Sequence, residues 1–588
     1  MSNEKWMLRN RKADLNAMSQ KYGISPLLCK LIVNREINDE NLLNSYIDPT
    51  YKYLHESTNM KDIKKAVEII KNKIISNKKI RIIGDYDVDG IISVYILYTA
   101  LKECGANVDY EIPDRIKDGY GINKNIVKIA YDEGVDTVIT CDNGISAIEQ
   151  IEYAKELGLT VIVTDHHDVP FIEEDGVRTF ISSNADAIIN PKQIECNYPF
   201  KSICGAGVAF KLMEALYEEL GMGKDECYKL IEFVAIATVC DVVDLIDENR
   251  IFVRNGLEML NNTQNLGIKE LKKATGLEDK EITAYHLGFV IGPCLNASGR
   301  LDSAKKGLEL LLMEDEDDAR NLAVEIVELN DARKNMTKEG VDTAVDIIES
   351  TDVKNDDILV VYIPDIHESL AGIVAGRIKE KYNKPTIILT KSEEGVKGSA
   401  RSIEEYNMFE GLLASKDLLD KFGGHPMAAG LSLQEDKIDV LRNDLNTKCG
   451  LTEDDLTKKI MIDASLPLEY LNLNLIEELN VLEPFGKGNS KPVFGVRDAK
   501  ITKAMILGKD KNVLKLRILL NNNSTIDAMI FNDIENFEEK IISKYGKDTL
   551  ENLYNKPNNS VPMDFTFYPS INEWNGNKSI QIIISGIR

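Results

Sequence analysis

The sequence has no Cys-x-x-Cys pair, no uncharged apolar run near the ~18 residues of a membrane span, and no excess of positive charge. The nine cysteines are scattered, and several lie in apolar runs, such as Cys240 in AIATVCDVV. They read as buried reduced thiols, which fits the cytoplasm. The missing apolar run argues against a membrane helix, and the opening MSNEKWMLRNRK has no apolar core of a signal peptide. The net charge of −25 argues, taken whole, against a nucleic-acid partner. It is unevenly spread, however: residues 485–520 hold nine basic and two acidic residues, a basic strip on an acidic chain. Histidine is scarce too, with six in 588 residues, yet two are adjacent in VIVTDHHDVP (161–170), beside Asp165.

A chain of 588 residues should hold several domains. After about residue 60 come β–turn–helix units. IRIIG (80–84) leads to an Asp-rich turn and an apolar helix, TVIT (137–140) leads to CDNGIS, and TVIVT (160–164) leads to the paired histidines. Short continuous apolar strands alternating with helices predict a parallel sheet covered on both faces. In such sheets active sites gather at the carboxyl ends of the strands, where all three special stretches fall. Residues 305–350 predict a charged, largely uninterrupted helix whose second half is a connector. A second α/β region follows, with DILVVYI (357–363), TIILT (386–390) and the glycine-rich KFGGHPMAAG (421–430). Beyond about 455 the pattern becomes strand and turn, including an Asn-Gly hairpin signal in WNGNK, which predicts a small OB-type barrel.

GDYDVDG sets Asp85, Asp87 and Asp89 within five residues after a strand. Asp142 follows the second strand, Asp165, His166 and His167 the third, and Asp241 an apolar run. Each piece has a plain structural reading, since Asp-x-Asp-Gly is a common turn and Asp a common helix cap. Their joint occurrence at strand ends favours a cluster. Two carboxylates ~4 Å apart repel by roughly 4 kcal/mol at an effective dielectric near 20. Four or five would protonate or separate unless cations held them. Several Asp with one or two His suit two divalent ions, with Mn²⁺ favoured by the imidazoles and Mg²⁺ the alternative.

These motifs resemble the Asp-His-His (DHH) phosphoesterase superfamily. GDYDVDG, CDNG, TDHHD and VCDVVDL occur in its order, followed by PDRIKDGYG (113–121), CGAGVAFKL (204–212), LNASGRLDSA (295–304), GSARS (398–402) and FGGHPMAAG (422–430). LEPFGKGNSKPVF (482–494) resembles the start of the C-terminal domain of the RecJ family, 5′→3′ exonucleases specific for single-stranded DNA. The resemblance implies metal-site roles for Asp85, Asp87, Asp89, Asp142, His166 and Asp241, with Asp142, His166 and His167 at the chemistry. It implies phosphate contacts for Arg115, Arg300, Ser399 and Arg401, and puts His425 beside the substrate. Two positions depart from the family: Ile366 stands where Trp is usual, and Val513 where His is often seen.

The expected organisation is α/β. An extension (1–60) packs on a parallel-sheet DHH phosphoesterase domain (61–325). A connector helix (326–352), a smaller DHH-associated α/β domain (353–454) and an OB-type single-strand-binding barrel (455–588) follow. The expected activity is metal-dependent hydrolysis of single-stranded DNA from the 5′ end to mononucleotides, in repair and recombination. A helicase and a single-strand-binding protein are the candidate protein partners. The alternatives are a small-nucleotide phosphodiesterase on the same core, and a scaffold that has lost its metal ligands. The first needs no third domain, and no ligand is missing here for the second.

Overall fold

A computed structural model describes residues 4–588 apart from 38, 116–117, 175–176, 393–394, 509–510, 557–559 and 575. The chain forms two compact units. One holds Thr50–Lys458, the other Glu4–Pro49 together with Lys459–Arg588.

The first unit is built on five strands, β1 (Lys79–Ile83), β2 (Asn107–Glu111), β3 (Thr137–Cys141), β4 (Thr160–Thr164) and β5 (Ala187–Ile189). They lie in the order β2-β1-β3-β4-β5, and every pairing is parallel. All five residues of β3 are buried, as expected of a strand with helices over both faces. Helix α1 (Val88–Glu103) lacks a polar face along VDGIISVYIL, and that stretch is buried throughout. Each fully buried Ile, Leu or Val contributes roughly 1.5–3 kcal/mol. The strand order reverses between β1 and β3, so Asp85 and Asp142, which follow these strands, flank the topological switch point. Helices α2 (Gly205–Glu219) and α3 (Ile231–Cys240) pack with α1 in the same apolar core.

The region expected to be one helix over 305–350 is broken. A helix ends at Leu312, Met313 is extended, and Asp315 caps a new helix, Glu316–Ser350, by accepting from the backbone N–H groups of Asp317 and Asp318. The run Asp315–Asp318 favours a helix start over a helix interior. The smaller domain has a five-stranded mixed sheet, in which Leu359–Tyr362 is parallel to Thr386–Ser392 and the other pairings are antiparallel.

In the second unit, Phe494–Leu507 pairs with Val513–Leu519 on one side and Val561–Trp574 on the other. With Thr525–Phe531 and Asn577–Ile587 this closes a five-stranded barrel. Trp574 pairs with Asn577 across the expected hairpin turn, whose residue 575 lies outside the described residues. The barrel register sets Lys503 opposite Arg517 and Met505 opposite Lys515. Part of the basic strip is neutralised, because Asp527 lies 2.7 Å from Lys515 and 3.7 Å from Arg517.

The expectation that 1–60 packs on the catalytic domain is corrected. Lys5–Leu8 adds in parallel to Lys459–Ile462, and Leu28, Leu31, Ile32, Leu43 and Tyr46 share a core with Phe494, Leu516 and Phe565. Asn34 Nδ2 donates to the Asp463 carbonyl (3.1 Å), and the Tyr46 hydroxyl to Asn489 Oδ1 (2.8 Å). The apolar helix Pro26–Val33 needs a partner surface, and the barrel, more than 400 residues later, supplies it. Only the last part of the segment belongs with the catalytic unit, where the His55 backbone N–H donates to Glu248 (2.8 Å). No helix among the described residues is long and apolar enough to cross a membrane.

Candidate metal centre and phosphate pocket

Asp87 caps α1, accepting from the Gly90 backbone N–H at 3.1 Å. Its capping role and its place in the cluster therefore coexist. Asp89, in the first turn, is buried and accepts from the Gly205 and Ala206 backbone N–H groups at 2.6 and 2.8 Å. These are orphan donors at the start of α2, where the helix dipole favours a carboxylate. Gly205 must be glycine: a Cβ there would stand 2.8 Å from Asp142 Cβ and 3.0 Å from Asp89 Oδ2. Asp142 sits at φ +58°, a left-handed conformation that Asp tolerates better than most residues.

His166 Nε2 lies 3.1 Å from Asp142 Oδ1, 3.6 Å from Asp89 Oδ2 and 3.8 Å from Asp241 Oδ2. Three groups could each hold a cation, their ligand atoms within 4.8 Å of one another: Asp142, His166 and His167; Asp89, His166 and Asp241; Asp85, Asp87 and Asp142. Asp142 Oδ1, His166 Nε2 and Asp241 Oδ2 are buried and make no hydrogen bond. Buried polar atoms are normally paired, so three orphans converging on one point fit divalent ions. Burial, then neighbouring carboxylates, raises the pKa values, to about 6 for Asp89 and about 8 for Asp241, and lifts Asp85 and Asp142 well above the usual range. Burial, with His167 second, lowers His166 to about 3, leaving its imidazole neutral and able to ligate.

Asp165, singled out in the sequence only as a neighbour, organises the pair of histidines. Its Oδ1 accepts from the backbone N–H groups of His166 (2.7 Å) and His167 (3.0 Å) and faces His167 Nδ1 at 2.8 Å. Its Oδ2 accepts from Ile145 N–H at 2.8 Å. Burial opposes the charge on His167, but Asp165 outweighs it and raises the imidazole to about 9. Asn143 ties the ends of β1 and β3 together, donating to the Ile83 and Cys141 carbonyls at 3.1 and 2.9 Å. Tyr120, inside a motif noted for its arginine, donates to the Asp142 carbonyl at 2.7 Å and lies 3.2 Å from His167 Nδ1.

The expected phosphate contacts gather beside this centre. Arg115 stacks over Tyr86 (4.6 Å), and Arg300 reaches the smaller domain, donating to the Ser369 carbonyl at 2.7 Å. Arg401 donates to Ser399 Oγ at 3.2 Å and to the Ala400 carbonyl at 2.8 Å. Among the described residues, none of the three arginines pairs with a carboxylate. Burial, with the Arg115 charge second, lowers Arg300 to about 10 and lowers Arg401 as well. Such a cluster favours an anion opposite it, and guanidinium forks match phosphate oxygens. Gly372 allows it, since a Cβ there would meet Arg401 Nη2 at 2.8 Å and Ser399 Oγ at 2.9 Å. No local pattern marks this contact, which joins separate elements. His425 ends an exposed strand, and its charge helps hold the Asp168 carboxyl below its usual range, after Lys192 and His167. Ile366 lies against Gly340 and Val374 in the apolar core, so its departure from Trp alters packing there.

Comparison with known proteins matches the DHH family, N-terminal domain, over residues 79–238, the DHHA1 domain over 355–450 and the RecJ OB domain over 462–586. The chain is similar to "Single-stranded-DNA-specific exonuclease RecJ" of Bacillus subtilis, 36% identical over 588 residues, covering 99% of this chain and 70% of the relative. It is similar to the protein of the same name from Haemophilus influenzae, 33% identical, covering 96% of each chain. Among solved structures it superposes on RecJ from Thermus thermophilus in complex with Mn²⁺, with a TM-score of 0.80 and 25% identity, covering 100% of this chain and 79% of that one.

Proposed function

The chain belongs to the RecJ family and is a single-stranded-DNA-specific exonuclease; from that premise we propose that it digests from the 5′ end, releasing mononucleotides in repair and recombination. The observation that carries the reading is the convergence of three orphaned ligand atoms, on Asp142, His166 and Asp241, next to three arginines that, among the described residues, have no carboxylate partner. In this reading Asp85, Asp87, Asp89, Asp142, His166 and Asp241 hold two divalent ions, Mn²⁺ favoured and Mg²⁺ the alternative. Bound ions supply Lewis acidity for phosphodiester hydrolysis. The residues of the chain do the rest. Arg401 and Ser399 grip the terminal phosphate, while Arg115 and Arg300 orient the next. Asp165 fixes the His167 ring, which faces the scissile phosphate, and His425 lies along the strand. The basic strip over 485–520, in which Asp527 neutralises Lys515 and Arg517 in part and Lys503 stands opposite Arg517, supports binding of a longer strand. A helicase that exposes the strand and a single-strand-binding protein that coats it are the partners to test. A cytoplasmic location fits the nine free thiols.

The test is digestion of end-labelled single- and double-stranded DNA with Mn²⁺ or Mg²⁺. Expected are mononucleotides from the 5′ end of single strands and little product from duplexes. Activity confined to dinucleotides would favour the small-nucleotide phosphodiesterase instead.

A further inference from the structure

Tyr285 and Phe289 form a stacked pair of rings, with centroids 4.9 Å apart and planes at 25°. Both are 63% exposed, which is unusual for two large aromatics in contact. His286 packs edge-on to Tyr285 at 5.8 Å, and its Nδ1 accepts from Thr283 N–H at 3.1 Å. Tyr285 stands in the helical turn Ala284–His286, and Phe289 lies in the single π-helical turn just after it, Leu287–Ile291, an element often found at functional sites.

This turn is seated on the end of α3. The Cys240 thiol points to the Leu287 carbonyl at 3.6 Å, and a Cβ on Gly292 would stand 2.3 Å from Cys240 Sγ. Asp241, the next residue, is one of the metal-site carboxylates. Val242 follows at φ +57° and is 59% exposed. The turn that carries Phe289 thus packs on Cys240, the residue before Asp241, and both rings stand exposed to solvent. A structural role would bury them; here more than half of each side chain is exposed. The preceding turn, Glu278, Asp279, Lys280 and Glu281, is acidic on balance. Phosphates gain nothing there, so the surface fits the flat, uncharged part of a nucleotide.

We propose that Tyr285 and Phe289 are a stacking platform for a nucleobase of the single strand entering the metal centre. The inference rests on the exonuclease reading above and adds a base-binding site. Aromatic–base stacking is sequence-tolerant, as suits an enzyme that must accept every base in turn. It is also nearly independent of salt, unlike phosphate contact.

The experiment compares the full-length wild type with Tyr285→Ala/Phe289→Ala and with Tyr285→Phe/Phe289→Tyr, which keeps the rings. Affinity for a fluorescent single-stranded oligonucleotide is measured with metals chelated, at several salt concentrations, and with an abasic residue moved along the strand. The alanine pair is expected to bind about tenfold or more weaker, with an unchanged salt slope, while the ring-keeping pair binds as wild type. One abasic position should weaken the wild type but not the alanine pair. Unchanged affinity in the alanine pair, equal loss in the ring-keeping pair, or a changed salt slope would each overturn the platform. Failure of the wild type to degrade single-stranded DNA would remove the exonuclease reading itself, and the platform with it.

Discussion

Asp165 holds His167 through a 2.8 Å contact between Oδ1 and Nδ1, and the same oxygen receives the backbone N–H groups of both histidines. One buried carboxylate therefore orients one imidazole and fixes the backbone path of two histidines. An asparagine offers a single acceptor oxygen and turns an N–H₂ toward a donor. Asp165→Asn should lower Mn²⁺-dependent nuclease turnover by about 10–100-fold and stability by about 1–3 kcal/mol. Turnover within twofold of wild type in a folded variant would show that the contact does not position the site.

Asp142 contributes to two of the candidate cation groups. Asp142→Ala should lose nearly all nuclease activity and keep its fold, because removing one of several clustered carboxylates relieves repulsion in the metal-free protein. Retention of more than about a tenth of wild-type turnover would contradict a two-ion centre.

Metal removal should make stability pH-dependent. Asp89 and Asp241 titrate at about 6 and about 8 in the folded protein, above the ordinary carboxyl range. A carboxyl raised on folding favours the native state while protonated, and that stability is lost as pH rises through the folded value. The Tm of metal-free protein should therefore fall between pH 5 and pH 9. His55, raised by its bond to Asp247, adds a loss in the same direction, so the Asp241→Asn variant is the control. Its Tm should fall less steeply above pH 6.5, and saturating Mn²⁺ should flatten the wild-type profile. Equal slopes in variant and wild type would count against the assignment.

Arg401→Ala should weaken use of 5′-phosphorylated ends more than general DNA affinity. Gly372→Ala should produce the same change without touching a charge, because its methyl would displace the Arg401 guanidinium and Ser399 Oγ. Rates on matched 5′-phosphate and 5′-hydroxyl oligonucleotides check both variants. Equal losses on the two ends would argue against a terminal-phosphate role.

The separable catalytic piece is residues 50–458. A cut after 454 that keeps the N-terminal segment would leave Leu28, Leu31, Ile32 and Tyr46 without the barrel core they pack in, and that fragment should aggregate. The 50–458 fragment should fold and cleave short oligonucleotides. Its affinity for long single strands should be weaker and less salt-sensitive than that of the full chain, by 2–4 units of slope at about 0.7 per phosphate neutralised. Identical slopes would assign the barrel to packing or to protein partners.

Much of this architecture is legible in the sequence because its signals are local. Apolar strands ending in Asp or His announce the sheet and the metal cluster, and strand-and-turn alternation announces the barrel. What stays hidden depends on contacts between distant segments. Gly205 and Gly372 lie in ordinary helix starts, and only the approach of Asp142 or Arg401 gives them meaning. The destination of Pro26–Val33 cannot be read from its amphipathic pattern, which fits any apolar surface. The break at Met313–Asp315 is legible in principle, since a run of acids marks a helix start more often than a helix middle.

The pairing of Lys5–Leu8 with Lys459–Ile462 also sets an order of events during synthesis. The first segment is made ~450 residues ahead of its partner strand, and at about 5–20 residues per second the interval is roughly 20–90 s. Through that time the catalytic unit can complete its own core while the leading helices keep an uncovered apolar face. Chaperone demand should therefore concentrate on the N-terminal 49 residues of the nascent chain and end when the barrel emerges.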